Sequence, residues 1–318
     1  MKRIVRLFAA ALVSAVASVN VLAFMQAWAM TSFTANGDRT GRPEELSVLD
    51  RLTVLLSGVN IPRPENKRTP GDFNLSFETH RFSSGSGATL ETWFLPGQND
   101  RLVVALFHGY AASKSTLLTT ARAFHRLGYA TLLVDFYGSG GSSGAGTTIG
   151  VKESDDVAAA VEHMRRNWPE RKIILYGISM GAAAMLRAVA VNGVKPDAII
   201  IEATFDSLLN TGKNRFRAMG LPASPFAEML LFWGSVQNGF NMFGHNPVDY
   251  AQAVEHPALI LHGEQDARTT VDQARSIALA MGVHARFIAY AGVPHMPIVE
   301  ARPADWTRDV TMFLEQVF

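Results

Sequence analysis

Ser179 occupies the centre of a pattern that activates a hydroxyl group for attack on acyl carbonyls. The segment is Gly177-Ile178-Ser179-Met180-Gly181, and the apolar run 173–176 precedes it. A strand, then Gly-x-Ser-x-Gly, then a helix form a nucleophile elbow, a sharp turn whose strained serine needs small neighbours. The five residues alone also fit an ordinary tight turn. Because an apolar strand precedes them and a small-residue helix follows, we predict that Ser179 is a nucleophile.

A serine hydroxyl needs a base, and that base needs an acid to orient it. In chains with a nucleophile elbow, the acid and then the histidine follow the serine. Beyond Asp266 the chain contains His284 and His295. His284 precedes the predicted strand 285–290, whereas His295 follows that strand. Since ligands meet the carboxyl ends of parallel strands, we predict that His295 is the base.

The predicted acid is Asp266, which closely follows the predicted strand 258–262 and can reach the loop after the neighbouring strand. Glu264 in the same segment is the second candidate, and Glu202 and Asp206, after the preceding strand, are weaker ones. A carboxylate in this place would hold the imidazole in the tautomer that accepts a proton from serine.

The oxyanion of an acyl-transfer intermediate needs two N–H donors. The first predicted donor is the backbone of Met180, the residue after the nucleophile. The second is expected from the loop after the predicted strand 102–107, where we predict the backbone of Tyr110. His108 lies in the same loop and is expected to shape it rather than to act as a base.

The glycine-rich segment 135–144 raises the alternative of a phosphate-binding loop. It lacks the terminal Lys-Ser/Thr of a P-loop and the dinucleotide spacing, so we expect a flexible loop bordering the active site. The chain contains no cysteine, which excludes disulfides and a cysteine nucleophile. A net charge of +1 without a basic stripe argues against a nucleic-acid partner. No cofactor and no metal are implied.

Apolar runs and helical patterns alternate from residue 73 onward. The predicted strands are 73–82, 89–95, 102–107, 130–136, 172–177, 198–203, 258–262 and 285–290, and the predicted helices are 113–127, 154–167, 180–191, 271–281 and 304–317. Short continuous apolar runs are typical of strands buried on both faces. The alternation predicts an α/β fold with a mostly parallel central sheet and helices on both faces.

Residues 207–250 interrupt this alternation with a long Phe- and Met-rich segment between two predicted strands. Insertions of this length usually carry helices of their own, so we predict a small helical cap over the site. Residues 31–72 are polar and rich in glycine and proline, which predicts a linker, with a short amphipathic helix at 45–56. The folded domain is therefore predicted at 73–318.

At the N-terminus, three basic residues precede the uncharged segment 7–30. About 20 apolar residues span a bilayer, which favours an uncleaved signal anchor over residues 1–30. With the basic residues on the cytoplasmic side, this predicts a single-pass protein of the inner (plasma) membrane whose catalytic domain lies on the non-cytoplasmic side. Ala27-Trp28-Ala29 has the form of a cleavage site, so the alternative is an exported or periplasmic protein cleaved near Ala29.

Together these motifs resemble the α/β-hydrolase superfamily, in particular its monoacylglycerol-lipase-like, BEM46-like and serine-aminopeptidase-like branches, over about residues 75–318. The resemblance rests on Phe107-His108-Gly109, Asp135-x-x-Gly138-x-Gly140-x-Ser142, the elbow at 177–181, His262-Gly263-Glu264-x-Asp266 and Pro294-His295. It implies an α/β-hydrolase fold, a triad of Ser179, Asp266 and His295, and backbone donors at Tyr110 and Met180. Tyr137 stands where an arginine is common, and residues 267–270 replace a usual Val-Pro.

From these residues we expect a serine hydrolase that cleaves carboxylic esters through an acyl-enzyme on Ser179. The apolar insertion and the N-terminal segment predict a membrane association and lipophilic acyl esters, such as monoglycerides or lysophospholipids, as substrates. A peptidase or amidase with the same triad is an open alternative. Because this fold hosts many chemistries, a non-catalytic hydrolase-fold binding protein is another.

Overall fold

The computed structural model describes residues 1–41, 46–85 and 87–318, which divide into two compact units. One comprises Met1–Pro62 and Leu208–Gly244 and is called the N-terminal unit below. The other comprises Arg63–Ser207 and His245–Phe318 and is called the sheet unit.

Strands and helices alternate along the sheet unit as the apolar runs predict. The strands are β1 Glu78–Ser83, β2 Thr89–Leu95, β3 Asn99–Phe107, β4 Tyr129–Val134, β5 Lys172–Ile178, β6 Ala198–Glu202, β7 Ala258–Gly263 and β8 Ala285–Tyr290. The helices of the whole chain are α1 Lys2–Thr31, α2 Val48–Ser57, α3 Leu118–Arg126, α4 Glu153–Asn167, α5 Met180–Asn192, α6 Leu208–Ala218, α7 Phe226–Asn238, α8 Pro247–Ala251, α9 Val271–Met281, α10 Ile298–Ala301 and α11 Pro303–Val317.

The strands form one sheet in the order β1-β2-β4-β3-β5-β6-β7-β8. From β4 to β8 the neighbouring strands are parallel, whereas β2 pairs antiparallel with both β1 and β4. Parallel strands point their carboxyl ends to one edge, where open α/β sheets bind ligands. The segments that follow β3, β5, β6, β7 and β8 therefore share that edge.

Two apolar layers cover the faces of the sheet. Along β3, Val103, Ala105 and Phe107 enter one layer with α4, α5 and α9, while Val104 and Leu106 enter the other with α3 and α11. Alternate side chains of a strand point to opposite faces, and burial on both faces accounts for the unbroken apolar runs. The predicted α/β-hydrolase fold, with a mostly parallel sheet and helices on both faces, is confirmed.

Most predicted boundaries lie within a few residues of the observed ones. The first predicted strand, 73–82, begins only at Glu78, because Pro70–Phe73 forms a 3₁₀ turn with proline at its first position. The predicted helix 113–127 is divided into a 3₁₀ turn, Lys114–Leu117, and α3.

In the N-terminal unit, α1 packs against α7, a helix of the insertion. The Nε1–H of Trp233 donates to Oδ1 of Asn20 at 3.2 Å, and the side-chain amide of Gln237 donates to the carbonyl of Phe24 at 2.8 Å. The rings of Phe24 and Trp233 meet edge-on with centroids 5.4 Å apart. Helix α1 is the one helix within the described residues that is long and apolar enough to cross a membrane, with a mean hydropathy of 2.2.

Residues 31–62 belong to the same compact unit as α6 and α7, which differs from the expected linker. Their helix, α2, covers Val48–Ser57, while Glu45, where the predicted helix starts, lies outside the described residues. Phe33, Val54 and Ile61 are buried, so this stretch has apolar contacts of its own despite its glycines and prolines. The insertion contains the helices predicted for it, and its role as a cap over the site stays a prediction.

Candidate active site

Ser179 lies on a strained turn between β5 and α5. Its backbone has φ 53° and ψ −113°, a conformation that residues with a side chain rarely adopt. Its N–H donates to the carbonyl of Glu202 at 2.8 Å, which ties the turn to the end of β6. A Cβ on Gly181 would lie 2.4 Å from the carbonyl oxygen of Phe107, so only glycine fits there. The local geometry is that of a nucleophile elbow.

The loop after β3 lies directly beside this turn. A Cβ added to Gly109 would be 3.7 Å from the Cβ of Ser179. His108 is fully buried; its Nδ1–H donates to the carbonyl of Gly109 at 2.8 Å, and its Nε2 accepts from the N–H of Phe136 at 3.2 Å. Burial lowers the pKa of His108. Both ring nitrogens of this neutral histidine are hydrogen-bonded, so it holds the loop in place and has no free nitrogen for catalysis.

The two predicted oxyanion donors belong to the segments that meet beside Ser179. Met180 is the first residue of α5, where backbone N–H groups have no partner within the helix and carry the positive end of its dipole. Tyr110 follows Gly109 in the loop after β3. Both predicted donors therefore lie in segments next to Ser179.

Asp266 and His295 form a hydrogen-bonded pair at the carboxyl edge of the sheet. The Nδ1–H of His295 donates to Oδ2 of Asp266 at 2.6 Å. The Asp266 side chain is fully buried, whereas that of His295 is 19% exposed. Since a carboxylate can only accept, the proton of the neutral ring lies on Nδ1 and leaves Nε2 able to take a proton.

The described part of the chain holds no group of three or more His, Asp or Glu side chains arranged to bind a metal ion. The arrangement instead offers a hydroxyl on a strained turn, an oriented imidazole and helix-terminal N–H groups. Such a set suits acyl transfer by a serine nucleophile.

The sequence and the fold of the chain are similar to those of known proteins. Residues 98–230 match the model of the family described as serine aminopeptidase, S33. Protein bem46 of Schizosaccharomyces pombe is 26% identical over 208 residues, and the chain covers 64% of its length, slightly less than two thirds. The uncharacterized protein YqkD of Bacillus subtilis is 26% identical over 218 residues, 67% of this chain and 71% of that protein.

Solved structures share the fold over most of the chain. The Pyrococcus furiosus esterase Pf2001 has a TM-score of 0.66 at 23% identity, covering 81% of this chain and 99% of the esterase. A membrane phospholipase A, described as a bacterial virulence factor, has a TM-score of 0.55 at 20% identity, covering 76% of this chain and 86% of that one.

The chain has the α/β-hydrolase fold and is similar to the serine aminopeptidase S33 family over residues 98–230. The family resemblance expected from its motifs is confirmed. The other carboxylates considered as the acid are either exposed or hydrogen-bonded to other side chains. Glu264 is exposed, and Asp206 accepts from the side chain of Gln273 at 2.5 Å. Glu202 accepts from Nε1 of Trp306 at 2.6 Å.

The two buried carboxyl groups, Glu202 and Asp266, differ in the direction in which their pKa values are shifted. Burial raises the pKa of Glu202 to about 7, so it is only partly ionised at neutral pH. Burial also acts to raise the pKa of Asp266, but hydrogen bonds from His295 and Thr269 outweigh it and hold the pKa below its ordinary value. An acid that orients an imidazole must stay ionised, and of these two α/β-hydrolase carboxylates Asp266 meets that requirement.

Thr269 is a residue of this hydrolase site that the sequence prediction missed. Its N–H donates to Oδ1 of Asp266 at 2.9 Å and its hydroxyl to Oδ2 at 2.8 Å. The N–H of Arg268 also donates to Oδ1, at 2.9 Å. The Asp266 carboxylate thus accepts hydrogen bonds from the backbone N–H groups two and three residues later, as in an Asx turn. The sequence pattern Asp-x-x-Thr could have indicated this turn.

A close approach of two loops brings Asp266 and His295, the predicted acid and base, together. The N–H of Gln265 donates to the carbonyl of Val293 at 3.0 Å. A Cβ on Gly263 would lie 2.2 Å from that carbonyl oxygen, so glycine is required at the end of β7. His284, the histidine that was set aside, is exposed at the amino end of β8.

A buried lysine organises the loops on the other side of the hydrolase site. Lys114 is fully buried; its ammonium donates to Glu91 at 2.9 Å and to Asp135, and it lies 4.3 Å above the ring of Trp93. Its backbone N–H donates to Oδ1 of Asp135 at 2.7 Å. The network therefore connects the loop after β3 with the segment after β4.

The glycine-rich segment 135–144 differs from the flexible loop expected from its composition. The hydroxyl of Ser142 donates to the carbonyl of Asp135 at 2.7 Å and accepts from the N–H of Glu91 at 2.8 Å. The guanidinium of Arg63 donates to the carbonyls of Gly140, Ser142 and Gly144 at 3.0, 2.5 and 2.9 Å. These hydrogen bonds hold the glycine-rich segment 135–144 in one conformation.

Proposed function

We propose that this chain is a serine hydrolase of carboxylic esters in which Ser179 is the nucleophile, His295 the base and Asp266 the orienting acid. The 2.6 Å bond between His295 and Asp266 is the observation that carries the proposal, since it fixes the tautomer that a serine nucleophile needs. The strained elbow at Ser179 supports it.

In the acylation step, Nε2 of His295 takes the proton of the Ser179 hydroxyl as the oxygen attacks the ester carbonyl. The N–H groups of Met180 and Tyr110 stabilise the negative oxygen of the tetrahedral intermediate. The bond to the alcohol then breaks, the protonated His295 gives its proton to the departing alkoxide, and the acyl group remains on Ser179.

In the deacylation step, His295 takes a proton from water, which attacks the acyl carbonyl. The bond to Ser179 breaks, the serine oxygen regains a proton from His295, and the carboxylic acid leaves. These steps use side chains, backbone N–H groups and water, and they require neither a metal nor a cofactor.

Lipophilic acyl esters, such as monoglycerides or lysophospholipids, are the proposed substrates. The insertion leaves the sheet unit after β6 and returns at His245, so it begins at the sheet edge that carries Ser179. Helix α7 exposes Phe232 and Val236, apolar side chains of the kind that contact acyl chains. We propose the insertion as the cap of the site.

Attachment through α1 is proposed in preference to signal cleavage. The helix continues through Ala29 to Thr31, and both Ala27 and Thr31 are buried. Cleavage near Ala29 would remove the helix whose Asn20 bonds Trp233. The proposed location is the inner (plasma) membrane, with the basic N-terminus in the cytoplasm and the hydrolase outside it.

A fluorophosphonate probe tests the nucleophile. Wild-type protein should be labelled, and Ser179→Ala should lose labelling while its circular dichroism and melting temperature stay unchanged. Activity on p-nitrophenyl esters of increasing chain length tests the substrate class, and we expect medium or long chains to be preferred. If well-folded wild-type protein is not labelled, the proposed serine hydrolase activity is contradicted. A strict preference for acetate esters would contradict the proposal of a lipophilic substrate.

A peptidase or amidase with the same triad is the second candidate, because residues 98–230 match a family described as serine aminopeptidase. The two functions share acylation and differ in the leaving group, which is an amine in the second. Hydrolysis of aminoacyl-p-nitroanilides without hydrolysis of the matching esters would favour the peptidase. The reverse pattern would support the esterase.

A further inference from the structure

Helix α7 carries an apolar surface without charge. From Met229 to Gly244 the sequence contains no charged residue, and Glu228, which precedes this stretch, is paired with Lys213 at 2.9 Å. Phe232 and Val236, one turn apart, are 52% and 57% exposed. With Phe240 and Phe243 they line an open groove of about 430 Å³. Exposed aromatic and aliphatic side chains grouped in this way usually mark an interaction site.

If α1 crosses the membrane, its contacts with α7 indicate how deep in the bilayer α7 lies. The last basic residue of α1 is Arg6, and about 20 helical residues span a hydrocarbon layer of roughly 30 Å, which puts the far boundary near Gln26. Asn20, the partner of Trp233, is then about 9 Å inside that boundary at 1.5 Å per residue. Moving the boundary toward Met30 makes the contact deeper still.

The polar groups at this contact are satisfied as an apolar medium requires. Oδ1 of Asn20 accepts from Trp233, and Nδ2 of Asn20 donates to the carbonyl of Val16 at 2.9 Å. Unpaired polar groups in hydrocarbon cost several kcal/mol each, so this pairing lets Asn20 and Trp233 lie below the headgroups.

We propose that α7 is embedded in the outer leaflet of the membrane that α1 crosses, with Phe232 and Val236 among the acyl chains. The proposal rests on the membrane attachment given under the proposed function. A helix of 13 residues is too short to span a bilayer but suits an orientation along the interface. The occupant of the apolar groove is thus lipid.

Depth-dependent quenching of a fluorophore on single cysteines tests this, because the natural chain contains no cysteine. Full-length Val236→Cys is labelled with an environment-sensitive dye and reconstituted in phosphatidylcholine vesicles with bromine atoms placed high or low on the acyl chains. Leu279→Cys, at an exposed position of α9, is the reference for water, and Val16→Cys, on the exposed surface of α1, is the reference for lipid.

We expect the dye at position 236 to be quenched several-fold more strongly by shallow bromines than the dye at position 279, and the dye at position 16 to respond to deep bromines. Phe243→Cys, a second exposed position beside the groove, should behave like Val236→Cys and replaces it if that variant does not fold. Quenching at position 16 but not at 236 or 243 would overturn the embedding of α7 alone. No quenching at any position would overturn the membrane attachment as well.

Discussion

The carboxylate of Asp266 accepts hydrogen bonds from the N–H groups of Arg268 and Thr269, the hydroxyl of Thr269 and Nδ1 of His295. Hydrogen bonds to the charged form stabilise a buried carboxylate and lower its pKa. The negative charge is therefore retained at neutral pH although the side chain is buried. Under the proposed mechanism, this charge would stabilise the imidazolium formed when His295 takes the serine proton.

Replacing the charge of Asp266 should mainly affect turnover. In Asp266→Asn, the amide no longer fixes the Nδ1–H tautomer of His295, and we expect kcat for ester hydrolysis to fall by about 10⁴-fold. Glu264→Gln changes an exposed carboxylate in the same loop and should keep the wild-type kcat. Equal losses in both variants, or wild-type turnover in Asp266→Asn, would contradict the assigned role.

The placement of Ser179, Asp266 and His295 at one edge of the sheet could be predicted, because each follows an apolar strand and parallel strands bring their carboxyl ends to one edge. The support from Thr269 could not be predicted with the same ease. Threonine is common in loops, and its contact with Asp266 depends on how the turn after β7 folds. Local patterns indicate where a side chain lies along the chain, but not which hydrogen bonds it makes.

Among the structural elements, the loop after β3 and the segment after β4 are joined by charges inside the protein. Lys114 contacts Glu91 and Asp135, and all three side chains are largely removed from water. Burial acts to raise the pKa of Asp135, but the electrostatic interactions with Lys114 and His108 and the hydrogen bonds from Lys114 together outweigh it and lower the pKa below its ordinary value. Such an ion group holds the loop after β3 at a defined distance from β2 and from the segment after β4.

Lys114→Met should destabilise the protein by about 3–5 kcal/mol at pH 7, because it leaves buried carboxylates without a partner. A lowered pKa adds stability above the unfolded value of 3.8 and loses it as the pH falls through the folded value. The free energy of unfolding of the wild type should therefore increase from pH 3 to 6, and the increase should be smaller in the variant, because Asp135 no longer contributes to it.

Urea unfolding followed by near-ultraviolet circular dichroism measures both curves. Lys172→Met is the matched control, since Lys172 pairs with Asp197 at 3.0 Å on the surface and its side chain is 59% exposed. Exposed pairs contribute about 0–1 kcal/mol, so this variant should keep the pH dependence of the wild type. Parallel curves for wild type and Lys114→Met would contradict the role of the buried lysine.

The parallel strands could be predicted from the sequence, but the buried ion group could not. Continuous apolar runs such as those of β3 and β7 are local signals of burial on both faces. Lysine is almost always exposed, so Lys114 carries no local sign of burial. The antiparallel pairing of β2 with β4 likewise depends on a strand order that periodicity does not specify.

For the whole molecule, the N-terminal helix is part of a compact unit that includes α7. Asn20, Phe24 and Ala27 face α7, and Gln26 donates to the carbonyl of Leu55 at 3.2 Å. A sequence pattern could indicate an apolar segment at residues 7–30. It could not indicate the contacts of Asn20 and Phe24, because their partners in α7 lie more than two hundred residues away.

We expect the mature protein to keep α1. The full-length chain with a C-terminal tag should remain in the membrane pellet after an alkaline carbonate wash, and its intact mass should include α1. The physical reason is that removal of α1 would expose the buried face of α7 to water. A soluble chain that begins near Met30 would contradict this expectation and favour the exported form.

The pairing of α1 with α7 also sets an order of events during synthesis. The hydrogen-bonded residues Asn20 and Trp233 are 213 positions apart. At about 5–20 residues per second, the ribosome adds that length in roughly 10–40 s. Under the proposed topology α1 enters the bilayer early and stays without its partner helix until most of the sheet unit has been translated. Assembly of the N-terminal unit is then a late step of biogenesis, and a chain stopped before Phe226 would lack α7 altogether.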